Sequence, residues 1–129
     1  MPSDPRVVLD TSVIVALILG ETRAERVRPV LGRSVVSAVN LAEAMEVISR
    51  KGQLSERSKE LLLSISIEPL DKGQAIVAGA LLLAHRRTAN LSLGDACCLA
   101  LGTALGAEVF TWDRNWAEIP MPIAVRIIG

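Results

Sequence analysis

The sequence predicts an α/β fold in three layers, with a mostly parallel central sheet. Short apolar, β-branched runs recur along the chain, and segments with helical spacing of apolar residues separate them. No repeat, linker or low-complexity segment interrupts this alternation. Because parallel strands need a long crossover between them, usually a helix, strands that alternate with helices favour a parallel sheet. We expect residues 1–129 to form a single domain.

Five short segments have the composition of strands. Residues 7–9 leave no room for polar alternation, which suits a strand that is covered on both faces. The other predicted strands are residues 34–37, 66–69, 108–111 and 124–128. The predicted helices are residues 13–19, 21–31, 38–50, 55–63, 72–88 and 92–105. Gly20, Gly52 and Gly106 follow three of them and are typical helix ends.

Composition indicates an aliphatic core and a binding partner. Hydrophobic residues make up 50% of the chain, whereas aromatic residues make up only 2%. This is more apolar surface than a small domain readily hides, which favours a homo-oligomer or a partner protein. Lys plus Arg and Asp plus Glu both number 14, so the chain lacks the strongly basic character of many nucleic-acid-binding domains.

The cysteines and the apolar segments indicate the cellular compartment of the protein. Cys97 and Cys98 are neighbours, so a disulfide between them would be strained, and we expect both to be reduced and buried. No basic segment precedes an apolar one at the start, and the uncharged run 73–84 is far shorter than the ~20 residues of a membrane span. The prediction is a cytoplasmic protein without membrane association.

Acidic residues from distant segments are expected at one edge of the sheet. Asp10 directly follows the first strand, and Asp113 comes two residues after the strand at 108–111. Glu43 and Asp95 lie in the first turns of helices that begin at the same, carboxyl edge. Since several close carboxylates would repel one another, a cation should lie between them. Oxygen ligands suit Mg²⁺ or Mn²⁺, and this site suits phosphoryl chemistry.

Other residue types narrow the chemistry. A single His and the absence of a His or Cys cluster argue against zinc and against a His-based catalytic triad within one subunit.

Simpler roles stay open for several residues. Asp10 and Asp95 could each cap a helix, since Asp is favoured at helix N-termini. Glu46 could extend the acidic site, although an exposed position is the simpler interpretation. Trp112 and Trp116 could stack on an unpaired base or pack in the core. Three acids are assigned to solvated faces: Glu21, Glu25 and Glu118.

Four separated motifs resemble those of PIN-domain ribonucleases, and most closely the VapC toxins of toxin–antitoxin pairs. The motifs are Asp10-Thr11-Ser12, Asn40-Leu41-Ala42-Glu43, Leu91-Ser92-Leu93-Gly94-Asp95-Ala96-Cys97 and Thr111-Trp112-Asp113-Arg114-Asn115-Trp116. They occur in the family's order and span nearly the whole chain.

The resemblance implies a metal-dependent endoribonuclease that acts on RNA, forms a homodimer and is inhibited by a cognate antitoxin. It implies Mg²⁺ or Mn²⁺ as the cofactor. The implied site consists of the acids Asp10, Glu43, Asp95 and Asp113, of Ser12 or Thr111 as a nearby hydroxyl, and of Asn40, which orients Glu43.

Two rival classes stay open. One is a non-catalytic PIN-like module that binds RNA or a protein. The other is an aspartyl-phosphate phosphatase or receiver-type protein, which also places acids and Mg²⁺ at a sheet edge. The sequence counts against the second class, because such phosphatases need an acid two residues after the first, where Ser12 stands.

Overall fold

A central sheet of five parallel strands organises the computed structural model, which describes residues 5–128. The strand order is β3-β2-β1-β4-β5, and all four pairings are parallel. The strands are β1 (Val7–Leu9), β2 (Ser34–Ser37), β3 (Ser66–Glu68), β4 (Glu108–Thr111) and β5 (Val125–Ile127). The predicted α/β fold with a parallel sheet is confirmed.

Five α-helices connect the strands within the described residues, and most begin at a capping side chain. They are α1 (Thr11–Ile18), α2 (Ala38–Arg50), α3 (Glu56–Ser64), α4 (Lys72–His85) and α5 (Leu93–Leu105). Ser55 and Ser92 form capping boxes at α3 and α5, which satisfy amides that the first helical turn leaves free. Gly106 ends α5 in the left-handed conformation, at φ +61°.

Alternate strand residues pack into two apolar clusters, one on each face of the sheet. In β1, Val8 contributes to one cluster, whereas its neighbours Val7 and Leu9 contribute to the other. The first cluster includes side chains of α4 and α5, and the second includes side chains of α1, α2 and α3. Because successive side chains of a strand point to opposite faces, this division produces the three layers.

The strand order places a crevice beside the central strand. The chain moves from β1 to β2 on one side, whereas β4 pairs with β1 on the other side. In open parallel sheets, a ligand crevice lies at the carboxyl ends of the strands where the order reverses in this way. The segments that follow β1 and β4 therefore define the expected position of a site.

The predicted helix over residues 21–31 is wrong. Two short 3₁₀ helices, Thr22–Arg26 and Arg28–Arg33, replace it. Pro29 lies at the start of the second and offers no amide hydrogen, and its ring would clash with a carbonyl oxygen of the preceding helical turn. An α-helix therefore cannot continue across this point. A third 3₁₀ helix, Arg114–Glu118, follows β4.

Some predicted boundaries shift by one to three residues. Helix α4 ends at His85 rather than at residue 88, because the chain turns back there: the Leu91 amide donates to the Arg86 carbonyl oxygen, and Asn90 is left-handed at φ +51°. Helix α1 begins at Thr11, directly after Asp10. Strand β3 stops before Pro69, and β5 is shorter than predicted.

Cys97 and Cys98 are both buried and form no disulfide, as predicted. Across residues 5–128, no helix combines the length and the apolar character that a bilayer crossing requires.

Candidate active site

Asp10 forms the floor of an open cleft at the carboxyl end of β1. Its backbone is extended, and its amide donates to the Phe110 carbonyl oxygen at 3.1 Å, so the pairing with β4 continues past the strand. The side chain is 5% exposed, and its Oδ2 accepts hydrogen bonds from Thr111 Oγ1 at 2.8 Å and Ser12 Oγ at 3.0 Å. It makes no side-chain capping bond to α1. The carboxylate therefore faces the site and does not serve as a helix cap.

Burial changes the acidity of Asp10. The pKa of Asp10 is raised to about 6, chiefly by removal from water and further by the nearby charge of Asp95, although the Thr111 and Ser12 hydroxyls act to lower it. The burial effect dominates because the carboxylate lies between apolar residues of β1 and α1. A bound cation would favour the ionised form.

Glu43 is held in place by a small hydrogen-bond network. Its Oε1 accepts from Thr11 Oγ1 at 2.7 Å and from Asn40 Nδ2 at 3.0 Å. Asn40 is fully buried, and its Nδ2 also lies 3.1 Å from the carbonyl oxygen of Gly94 and 2.9 Å from Thr11 Oγ1. Asn40 thus joins α2 to the start of α5, and its contact with Glu43 agrees with the orienting role that the resemblance implies.

Gly94 leaves the space that the Glu43 carboxylate occupies. A Cβ at residue 94 would overlap both carboxylate oxygens of Glu43. Thr11 and Gly94 were not assigned from the sequence, although each adjoins a predicted acid. Their positions inside two of the motifs are the only signal that could have identified them.

Asp95 both caps α5 and borders the cleft. Its Oδ2 accepts from the Ser92 amide at 2.9 Å, and its own amide donates to Ser92 Oγ at 3.1 Å. The capping interpretation of Asp95 is therefore confirmed. Burial raises its pKa despite the Ser92 bonds, and the charges of Glu43 and Asp113 raise it further.

Asp113 is linked to Asp10 through one hydroxyl group. Thr111 Oγ1 accepts from the Asp113 amide at 3.0 Å while it donates to Asp10. The Asp113 side chain caps the following 3₁₀ helix, since its Oδ1 accepts from the Asn115 amide at 2.9 Å. Thr111 is fully buried, so this link between the two acids is shielded from water.

All four predicted acids line one cleft of about 650 Å³. Its lining comes from β1 and α1, from α2, from the start of α5 and from the segment after β4: Asp10, Thr11, Ser12, Val15, Glu21, Arg23, Glu43, Val47, Lys51, Asp95, Trp112 and Asp113. The structure therefore brings together the predicted acids and Ser12. Asn40 and Thr111 lie behind the lining and hold Glu43 and Asp10.

The acids surround the cleft without forming a compact ligand set. Among residues 5–128, no three Asp, Glu, His or Cys side chains already lie close enough to hold one metal ion. The carboxylates are instead engaged by protein donors, as described above. Their chemistry nevertheless fits a hard divalent cation, because the acids that face the cleft offer only oxygen atoms.

The structure also bears on three further predictions, and for Glu46 and Trp116 the simpler alternative is confirmed. Glu21 is 39% exposed in its side chain, lines the cleft and pairs with Arg23, so it combines solvent contact with a place in the cleft that the sequence did not predict. Glu46 is exposed and pairs with Arg50, so it does not extend the site. Trp116 is 1% exposed and belongs to the core, which excludes it from base stacking.

Comparison with known proteins agrees with this architecture. The PIN domain family model matches residues 7–121. Two curated relatives are each 33% identical to this chain over an alignment of 110 residues: Ribonuclease VapC42 of Mycobacterium tuberculosis and a VapC ribonuclease of Mycobacterium bovis. Each match covers 77% of this chain and 84% of the relative.

Solved structures share the fold. A toxin–antitoxin complex from Klebsiella pneumoniae superposes with a TM-score of 0.70 at 24% identity, over 88% of this chain and 92% of that one. VapBC2 from Rickettsia felis, bound to a promoter DNA fragment, gives 0.71 at 18% identity, over 93% and 96%. VapC ribonucleases with this domain generally depend on a divalent metal. The match over most of the chain and the identity to curated relatives show that this chain belongs to the PIN domain family.

Proposed function

We propose that this protein is an endoribonuclease that hydrolyses RNA phosphodiester bonds with Mg²⁺ or Mn²⁺, and that it acts as the toxin of a toxin–antitoxin pair. The observation that carries the proposal is the meeting of Asp10, Glu43, Asp95 and Asp113 in one cleft. These acids come from four separate motifs of a family whose curated relatives are named ribonucleases.

The four acids would hold the metal ion. An ion held there would supply an acidified water molecule and positive charge opposite the charge that develops on the phosphodiester. The chain's own groups prepare the carboxylates: Thr111 and Ser12 donate to Asp10 and favour its ionised form, while Thr11 and Asn40 fix the position of Glu43. The cleft is open on one side, so a strand of RNA can reach the acids.

Assembly and location complete the proposal. The apolar side chains exposed on the described surface, among them Ile76 and Leu83 of α4, support a homodimer and an antitoxin contact. Structural neighbours titled toxin–antitoxin complexes support an antitoxin partner.

We place the protein in the cytoplasm, consistent with the unpaired Cys97 and Cys98. The shared sheet between both apolar clusters supports a single domain.

The experiment is cleavage of total cellular RNA by the purified protein without antitoxin, followed by sequencing of new 5′ ends. We expect discrete cuts with Mg²⁺ or Mn²⁺, and none in EDTA or with Asp10→Asn or Asp95→Asn. Glu46→Gln is the matched control, because it removes an acid of α2 that lies outside the cleft.

Calorimetric titration with Mn²⁺ supplies an independent measurement. Wild type and Glu46→Gln should bind the ion, whereas Asp10→Asn should bind it much more weakly. Cleavage that continues in EDTA, or that survives Asp10→Asn, would overturn the proposed function. Intact RNA after incubation with wild type and either metal would overturn it as well.

A further inference from the structure

A phosphodiester must approach a cleft whose lining includes four carboxylates, so positive charge near the mouth is needed. The cleft lining contains two cationic side chains, Arg23 and Lys51. They differ in how firmly they are held. Within the described residues Lys51 is exposed and forms no ion pair, whereas Arg23 is fixed by two contacts.

Two contacts hold the guanidinium group of Arg23, one at its Nε edge and one on its planar face. Its Nε donates to Glu21 Oε1 at 3.1 Å, and its Cζ lies 4.7 Å from the centre of the Trp112 ring. Trp112 in turn stands between Thr111 and Asp113, so it is tied to the acidic site by the backbone. Stacking on Trp limits the orientation of the guanidinium plane. The side chain is 48% exposed, which leaves it open to a ligand.

The remaining edge of the guanidinium is free. Considering residues 5–128 only, neither terminal nitrogen of Arg23 takes part in a hydrogen bond. Those two nitrogens present a planar fork, which matches two oxygens of a phosphate group. Since Nε is already engaged by Glu21, the fork is oriented before any ligand binds, and less entropy is lost on binding.

We propose that Arg23 binds a backbone phosphate of the RNA substrate at the mouth of the acidic cleft, with Trp112 and Glu21 as its positioning residues. This inference rests on the proposed function and adds a phosphate subsite to it. Because Arg23 lies on the rim and Asp10 on the floor, the contact is made to a neighbouring phosphate before and during the reaction. Such uniform binding lowers KM and leaves kcat unchanged.

The test compares wild type with Arg23→Gln, Arg23→Lys and Arg26→Gln. Arg26 is the matched control, because it lies on the same 3₁₀ helix, is exposed and does not line the cleft. The probe is a fluorescein-labelled single-stranded RNA of mixed sequence, and binding is followed by anisotropy in Ca²⁺, with a gel to confirm that the RNA stays intact. Binding is measured across a series of salt concentrations.

We expect Arg23→Gln to weaken binding about tenfold, as loss of one charge-assisted contact does. The slope of log K against log salt should fall by about 0.7, the value for one phosphate on a single strand. Arg23→Lys should keep the salt slope, and Arg26→Gln should match wild type. In cleavage assays, Arg23→Gln should raise KM about tenfold with kcat unchanged.

Several outcomes would overturn the inference. Wild-type affinity and salt slope in Arg23→Gln would show that Arg23 makes no phosphate contact. An equal fall of the salt slope in Arg23→Lys and Arg23→Gln would assign Arg23 a structural role, and a loss confined to kcat would place its effect on the chemical step. Absence of RNA binding by wild type would overturn both the inference and the proposed function. RNA binding that depends on Arg23 without any cleavage would overturn the proposed function alone.

Discussion

Thr111 donates its hydroxyl hydrogen to Oδ2 of Asp10 at 2.8 Å, although 101 residues separate the two in the chain. The same oxygen of Thr111 accepts the amide hydrogen of Asp113, so one buried hydroxyl positions acids that follow two neighbouring strands. The strand register makes this possible, because β1 and β4 pair directly and Leu9 lies opposite Phe110.

Replacement of Thr111 by Val should impair catalysis. The change removes the hydroxyl at nearly constant volume and leaves Asp10 with a weaker hydrogen-bond set. A hydrogen bond to a charged group contributes about 1.5–3 kcal/mol, so kcat/KM for RNA cleavage should fall about tenfold to a hundredfold. Thr111→Ser keeps the hydroxyl and serves as the control. Equal activity of the Val and Ser variants would show that the hydroxyl has no catalytic importance.

Stability of the metal-free protein should depend on pH through Asp10. Its pKa is raised to about 6 in the folded chain from 3.8, so the unfolded chain releases this proton first as the pH rises. The resulting loss of stability develops as the pH rises from 3.8 through the folded pKa, and the shift corresponds to about 3 kcal/mol above it.

Asp10→Asn should therefore stabilise the metal-free protein, and more strongly at neutral than at acidic pH. Urea unfolding in EDTA at about pH 4 and about pH 7.5 measures this difference. Glu46→Gln, which removes an exposed carboxyl group, is the control and should show no comparable difference. The explanation fails if Asp10→Asn changes the free energy of unfolding equally at both pH values.

Gly94→Ala should separate activity from stability. The added Cβ would overlap the Glu43 carboxylate, which is the far end of a flexible side chain and can move away. The backbone should therefore stay intact, while Glu43 loses its bonds to Thr11 and Asn40. The higher helix propensity of Ala, worth up to about 1 kcal/mol on α5, offsets those lost bonds. We expect cleavage to fall at least about tenfold with less than about 1 kcal/mol net change in unfolding free energy.

Gly79→Ala on α4 is the matched control for this substitution, because nothing lies within 4 Å of a Cβ there. It should leave activity unchanged and stabilise the helix by up to about 1 kcal/mol. Full activity of Gly94→Ala would show that the position of Glu43 is unimportant for cleavage.

Asn40→Leu should lower both stability and activity. The change leaves the Gly94 carbonyl oxygen and Glu43 Oε1 without the buried amide donor that they now share. Glu43 keeps its bond from Thr11 Oγ1, so the two lost amide bonds should together lower the free energy of unfolding by about 1–3 kcal/mol, and RNA cleavage should fall with it. Wild-type stability in this variant would contradict the network described for Asn40.

Local signals in the sequence determined most of the fold. Short apolar runs mark all five strands, and serine or aspartate caps mark the starts of α2 to α5. The prediction failed over residues 21–31, where the apolar stripe favoured a helix that Pro29 prevents. Periodicity describes which face is buried, but it does not distinguish a 3₁₀ helix from an α-helix over so short a segment.

The candidate site, like the fold, was predicted only in part from the sequence. The sequence alone determined that Asp10, Glu43, Asp95 and Asp113 meet, because strand ends and helix starts share one edge of a parallel sheet. Only the tertiary structure decided which groups hold those acids and what lies at the mouth. Thr11, Gly94 and the stacked pair of Arg23 and Trp112 depend on contacts between segments far apart in the chain. Such contacts arise from packing, which no local pattern of residues encodes.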